Sequence, residues 1–308
     1  MNEHNHPSEK KDVYTIVTDQ IIATLEKGII PWRRPWMDGI IPQNLISRRA
    51  YKGINLWLLT MLGYGQNYFL TYKQVQELGG RIKKDESGHV IIYWKVLDAK
   101  TEELPEDEQK KKSAVLRYYL VFNISQCENI PEDKLPAPED HVIEPLIECE
   151  SIIREMPRPP MIQSKENEAY YHPGKDFINM PKQKVFKSQE EYYAVLFHEL
   201  IHSTGHESRL NREGVQQMTP FGSTLYSTEE LIAELGSCYL SAFAGIAPKP
   251  LDNSVAYIQG WLERLQEHKR ILVYAASMAQ KAADYILIRS AEVDAEEEVV
   301  ATETMVSE

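Results

Sequence analysis

Residues 192–206 read YYAVLFHELIHSTGH, with HELIH running from His198 to His202. Tyr193, Val195, Leu196, Leu200 and Ile201 recur at helical spacing, so His198 and His202, four positions apart, project from one helix face a turn from each other. Two imidazoles so placed can both reach a tetrahedral zinc at about 2.0–2.1 Å, and Glu199 between them points toward the open coordination position. A carboxylate there can take a proton from a water that the metal has acidified to a pKa of about 7, which makes Glu199 the candidate general base. The plainer reading of so short a pattern is an ordinary helix with two packed or solvated histidines. The residues that follow count against it.

Gly205 comes three residues after His202 and suits a helix stop. A zinc site of this kind needs a third ligand from outside the helix. Downstream lies YSTEELIAELGSCYLSAF, residues 226–243, where Ser227 or Thr228 could cap a second helix and Glu230 and Glu234 fall on one face. The spacing Glu-x-x-Ala-Glu after HExxH resembles the gluzincin arrangement. That resemblance implies Glu230 as the metal ligand and Glu234, one turn on, as the carboxylate that orients a ligand histidine from behind; the reverse order fits the spacing as well. Glu229 should point away, because its side chain lies about 100° round the helix from that of Glu230. Solvated helix charges or caps are the ordinary roles for such carboxylates. The alternative pattern HExxHxxGxxH is matched only in part: Ser208 stands where the third histidine would be, and His206 sits two residues early, as a loop residue rather than a ligand. Tyr226 and His206, close to the metal helices in sequence, are the candidate oxyanion donors.

The chain has 308 residues, 43% of them hydrophobic, enough for two domains each with its own core. No apolar run approaches the roughly 20 residues needed to cross a bilayer. The start, MNEHNHPSEKKD, is polar where a signal peptide would be apolar, so no membrane association and a cytoplasmic location are expected. Cys127, Cys149 and Cys238 have no CxxC spacing and read as buried free thiols. The net charge of −12 would argue against nucleic acid, but it is partitioned by region. Residues 292–308 carry acids and no Lys or Arg, as a solvated tail does. In the first hundred residues the cations outnumber the acids.

Asp12 to Lys27 reads as an amphipathic helix ended by Gly28. Next comes GIIPWRRPW, residues 28–36, where Trp32 and Trp36 bracket Arg33 and Arg34. Rings beside guanidinium groups suit single-stranded nucleic acid, whose bases stack while its phosphates are neutralised; a surface turn whose tryptophans plug the core explains the spacing equally. A helix follows from about Ile54 and another from Tyr72 to Leu78, stopped by Gly79 and Gly80. RIKKDESGHVIIYWKVLD looks like a hairpin turning near Ser87-Gly88, and Leu116 to Asn123 supplies a further strand across the charged loop 99–113. Helix 141–156 and three short strands, near 160–164, 169–172 and 176–181, precede HELIH, and two closing helices follow at 255–265 and 268–289. Either DFINMP or AYYHP could be an edge strand that holds an extended peptide; an ordinary hairpin over the core is the alternative.

PWRRPW, SRRAYKGIN, YFLTYKQVQELGGRIKK, GHVIIYWKV and YYLVFNISQC together are similar to the N-terminal domain of ArdC-type antirestriction proteins, which also occurs in plasmid primases of the TraC type. HELIHSTGH and EELIAEL extend the resemblance to the zincin-like second domain of that family. It implies an α+β fold: an N-terminal α+β domain binding single-stranded DNA over 1–128, a linker over 129–140, a mainly helical zincin-like domain with a small β-sheet over 141–290, and the acidic tail at 291–308 outside the match. Trp32, Arg33, Arg34 and Trp36, with Arg48, Arg49, Tyr51, Lys52, Lys83 and Lys84, are the candidate DNA contacts. The resemblance further implies an antirestriction role on a mobile element, Zn2+ or another divalent transition metal as cofactor, and a protein or peptide substrate. Two other readings stand beside it: a regulatory metalloprotease that cuts one specific partner, and a non-catalytic DNA-binding protein with a structural zinc site.

Overall fold

The apolar stripe of the first helix faces inward as its period requires: α1 (Val13–Leu25) buries Val17, Ile21, Ile22 and Leu25, and Gly28, at φ +73°, takes the chain out of it. The computed structural model describes residues 12–30, 32, 41–97, 113–135, 145–216, 224–246 and 255–289. Arg33, Arg34, Trp36, most of the charged loop 99–113 and the acidic tail lie outside the described residues. The architecture is α+β, with the small sheets set among packed helices.

In the first half come β1 (Gln43–Asn44), α2 (Ile54–Thr60), β2 (Tyr68–Thr71), α3 (Tyr72–Glu77), β3 (Arg81–Ile82), β4 (His89–Leu97), β5 (Ser113–Asn123) and β6 (Cys127–Glu128). A reciprocal capping box between Thr71 and Gln74 starts α3. One sheet has the order β1-β2-β5-β4, with β4 and β5 antiparallel from His89↔Val121 to Leu97↔Ser113, the pairing expected across the charged loop. The expected RIKK hairpin is not formed. β3 pairs instead with β6, Arg81 opposite Glu128 and Ile82 opposite Cys127. Gly80 explains the capture, since a Cβ there would meet Ile130 Cδ1 at 2.7 Å and the Glu128 carbonyl at 2.9 Å. Only the bare backbone lets the 128–130 segment approach.

The second half contains α4 (Pro145–Glu155), β7 (Met161–Gln163), β8 (Tyr170–His172), β9 (Phe177–Asn179), α5 (Gln189–Thr204), α6 (Glu213–Gln216), α7 (Thr224–Phe243), α8 (Val255–Glu267) and α9 (Ile271–Ile286). The sheet order β7-β9-β8 puts DFINMP in the centre, so of the two candidates only AYYHP lies along an edge. Ser227 and Thr228 are not caps: α7 begins at Thr224 and buries both within its first turns, at 2% and 8% exposure.

The two helices that carry the metal-ligand candidates, α5 and α7, cross at Gly236. An added Cβ would lie 2.6 Å from Ile201 Cδ1, 2.8 Å from Cγ1 and 3.0 Å from Cγ2. Ile201 is fully buried and stiff at its branched carbon, so it cannot turn aside. Gly236→Ala should therefore destabilise the protein by about 1–2 kcal/mol, the overpacking cost exceeding alanine's helix preference. Urea unfolding measures it; parental stability would mean the crossing has slack.

The apolar core runs through both halves. Leu56, Trp57 and Ile92 belong to the same buried cluster as Phe197, Leu231 and Leu272. Thr18 Oγ1 donates to the Lys269 carbonyl at 2.7 Å, Lys269 Nζ to Asp19 at 2.9 Å, and the Gly53 N–H to Gln280 Oε1 at 3.2 Å.

Candidate metal centre

α5 is a 16-residue helix whose start is fixed by Ser188, which accepts from the Glu191 N–H at 3.2 Å. Its inner face buries Phe197, Leu200 and Ile201, which leaves His198 and His202 side by side at its flank. Their Nε2 atoms lie 3.1 Å apart. Glu230, brought over by α7, places Oε2 3.6 Å from His198 Nε2 and Oε1 3.6 Å from His202 Nε2. The three donor atoms all fall within 4.8 Å of one another, a converging set of two imidazoles and a carboxylate that fits a divalent transition metal.

The electrostatics fit the same charge. Burial would lower the pKa of His198, but its hydrogen bond to Glu230 and the charges of Glu199, Glu230 and Glu234 outweigh burial and raise it to about 9. Burial would raise Glu230, yet His198 and His202 hold it down at about 2. Both shifts say that this point favours positive charge.

Glu234 sits behind His198, Oε2 4.0 Å from Nδ1, so the structure puts Glu230 on the converging side and Glu234 on the far side. Glu229 departs from the reading that it points away. Its Oε1 lies 3.3 Å from His202 Nδ1, and Arg212 grips it with Nη2 at 2.6 Å and Nε at 3.0 Å. It does lie off the Glu230 face, but the last turn of α5 and a buried arginine, not water, occupy that direction. Burial would raise the Glu229 pKa, but hydrogen bonds from His202 and Arg212 lower it overall. His202 thus has a carboxylate at each ring nitrogen.

A cavity of about 450 Å³ opens onto the cluster, lined on one side by Ala169, Tyr170, Tyr171 and Pro173 of the β8 segment and on the other by Glu199, Gly214, Val215 and Tyr226. Glu199 is 8% exposed and faces this space between the histidines. Tyr226 lines the same space and hydrogen-bonds Glu230; burial and the Glu230 charge raise its pKa. His206 is not among the residues that line the cavity. Its Nδ1 accepts from the Ser208 N–H at 3.2 Å and meets Ser208 Oγ at 2.8 Å, which commits the ring to the loop after α5.

The candidate DNA contacts divide by burial. Trp32 is fully buried, edge-on to Trp261 at 6.2 Å, and Tyr51 is 8% exposed against Phe69, so both are core rings and not stacking platforms. Arg48 lies over the Tyr68 ring at 5.2 Å and donates to the Lys134 carbonyl at 3.2 Å. Arg49, Lys83 and Lys84 are exposed, Lys83 donating to the Ser125 carbonyl, and Lys52 is half-buried.

Arg209, Arg212 and Glu229 went unnoticed in the sequence as site residues. No sequence signal marks the two arginines, because a cation in a polar loop ordinarily reads as solvated.

Residues 11–122 match the N-terminal domain of anti-restriction factor ArdC, and residues 149–278 match the MPTase-PolyVal family of zincin-like metallopeptidases. A protein of Sinorhizobium fredii (strain NBRC 101917 / NGR234), uncharacterized protein y4eC, is 34% identical over 300 residues, covering 93% of this chain and 95% of its own length. DNA primase TraC of Escherichia coli is 32% identical over 296 residues, which cover 90% of this chain but only 20% of the primase. Among solved structures, the antirestriction ArdC protein from R388 plasmid in its Mn(II)-bound form superposes with a TM-score of 0.71 at 36% identity, covering 92% of this chain and 100% of that one. Its metal-free form gives 0.71 at 37%, covering 91% and 98%. With both halves matched in order and full-length relatives above 30% identity, the chain belongs to the ArdC family of antirestriction proteins, an ArdC N-terminal domain joined to a zincin-like metallopeptidase domain.

Proposed function

We propose that the chain binds single-stranded DNA through its first half and hydrolyses peptide bonds at the His198, His202 and Glu230 cluster. The observation that carries the catalytic half is the convergence of those three donors beside Glu199, in a cavity bordered by the edge strand β8. A bound divalent metal supplies Lewis acidity at that point, and zinc suits the donors as well as the manganese named for the solved relative. His198, His202 and Glu230 hold it. The free edge of β8 pairs with an extended peptide backbone and lays its carbonyl across the cavity. Glu199 takes the proton of the attacking water and returns it to the departing amine, and the Tyr226 hydroxyl donates to the developing oxyanion.

The DNA half is supported by membership of the ArdC N-terminal family and by the exposed cations Arg49, Lys83 and Lys84. Metal analysis together with titrations of single- and double-stranded DNA over a range of salt tests both halves. About one divalent ion per chain is expected. Single strands should bind more tightly than duplex, and log K should fall linearly with log salt by about 0.7 for each phosphate neutralised. Replacing Arg49 and Lys84 together by Ala should reduce that slope by about 1.4. A protein without metal would remove the peptidase half; salt-independent binding would remove the phosphate contacts.

A further inference from the structure

We propose that Arg212 and Glu229 form a positioning device for His202, fixing the ring so that Nε2, and not Nδ1, is presented to the metal. The inference rests on the metal-site reading above. Glu229 is acceptor-only when ionised, so the 3.3 Å contact requires that His202 Nδ1 carry the hydrogen, which leaves the Nε2 lone pair facing His198 and Glu230. Arg212 holds Glu229 with both prongs of its fork. It also donates from Nη1 to Thr204 Oγ1 at 2.5 Å and from Nη2 to the Ile201 carbonyl at 2.8 Å, a last-turn carbonyl that accepts from Thr204 Oγ1 as well, at 2.6 Å. The ligand histidine is thereby referenced to the backbone of its own helix through two buried side chains, each 7% exposed.

Two glycines make room for this arrangement. Gly205 ends α5 at φ −74°, an ordinary helical value, so no left-handed turn requires it there. A Cβ on it would come within 2.4 Å of Val215 Cγ2 and 3.1 Å of Arg212 Nη2. On Gly214 a Cβ would stand 3.1 Å from the Glu229 Cβ. The glycine that reads as a helix stop is required first by Val215, which packs against it, and it also leaves clearance for the end of the Arg212 fork.

His198 is held differently. Its Nδ1 is buried with no hydrogen-bond partner among the described residues, and Glu234 stands 4.0 Å off. A buried ion pair is weak evidence of a stabilising role, since an apolar pair of the same volume commonly holds helices as well. The placement directly behind one ligand nitrogen is what a positioning role requires and a general staple does not.

The test adds Co2+ alone to the metal-stripped full chain and reads its affinity by chelator competition and its visible absorption spectrum. Glu229→Ala and Arg212→Met should each weaken Co2+ binding by about 10–100-fold and alter the spectrum. Glu229→Gln, whose amide oxygen still accepts from Nδ1, should stay within about tenfold of the parent and keep its spectrum. Arg212→Lys, which keeps the charge but loses the fork, should shift the spectrum, and it carries the test if the larger changes prevent folding. Parental affinity and spectrum in Glu229→Ala or Arg212→Lys, whatever happens to their melting temperatures, would reduce the pair to a structural staple. A parent that takes up no Co2+ would instead overturn the metal-site reading, and this inference with it.

Discussion

Glu199→Gln should retain its metal within a few-fold of the parent and lose peptide hydrolysis by about 10²–10⁴-fold, the usual contribution of a positioned general base. The separation follows from geometry. The three converging donors belong to His198, His202 and Glu230, and Glu199 is not one of them. The amide matches the carboxylate in size, so the buried position, 8% exposed, is neither emptied nor overfilled. It cannot take up a proton near neutral pH. The measurement pairs metal analysis of the purified variant with cleavage of a mixed peptide library. Hydrolysis at the parental rate would take Glu199 out of the reaction; loss of metal would mean that its charge is needed to assemble the site. The same variant separates two biological readings: if it protects DNA as well as the parent, protection comes from occupancy of the strand and not from proteolysis.

What could be read from the residues alone was what depends on local period and spacing. HELIH places two imidazoles on one flank of a helix whatever surrounds it, and the Glu230/Glu234 spacing does the same for the second helix, so the cluster was legible before its neighbours were known. The β4–β5 pairing was legible for a similar reason, two alternating runs joined by one loop. Properties set by the other side of a contact were not. Trp32 suits a stacking platform or a core plug equally, and only the position of Trp261, far along the chain, decides for the core. RIKK pairs with β6 because Gly80 admits another backbone, which no hairpin rule contains. Helix geometry sets Glu229 off the Glu230 face, yet the neighbours it meets there, His202 and Arg212, depend on how α5 and the following loop pack, and the loop RLNREG gives no sign that two of its cations are buried.

Arg209 makes the largest stability difference we expect. Its side chain is 1% exposed and joins three pieces: Nε donates to the Ser203 carbonyl at the end of α5 at 2.7 Å, Nη1 to the Arg158 carbonyl at 3.0 Å, and the fork to the Asp176 carboxylate between β8 and β9. Tyr171 of β8 completes the cluster, its hydroxyl accepting from Nη2 at 3.2 Å and donating to Asp176 at 2.9 Å. Arg209→Met leaves two carbonyls and a carboxylate short of donors. Breaking a buried pair costs about 3–5 kcal/mol, and because Asp176 is 32% exposed and recovers some water, the lower end, about 3 kcal/mol, applies. In a chain of this size that lowers the melting temperature by about 5–10 °C. Arg209→Lys should recover only part of it, since an ammonium cannot bridge the three acceptor directions. The pH dependence identifies the charged component. Burial would raise the Asp176 pKa, but the hydrogen bonds from Arg209 and Tyr171 lower it overall from the ordinary value of 3.8. A carboxyl depressed on folding contributes stability that is complete above its unfolded pKa and lost as pH falls through the folded one. The gap between the parent and Arg209→Met should therefore be widest near neutrality and narrow below about pH 4. Asp176→Asn, which tolerates the left-handed backbone at φ +47°, should remove the same pH-dependent part without straining the turn. Urea unfolding of the three proteins from pH 7 to pH 3 decides the matter: a gap that stays constant with pH would assign the stabilisation to the neutral hydrogen bonds. Since β8 borders the cavity through Tyr170 and Tyr171, a loosened Arg209 should also raise KM for an extended peptide more than it lowers kcat.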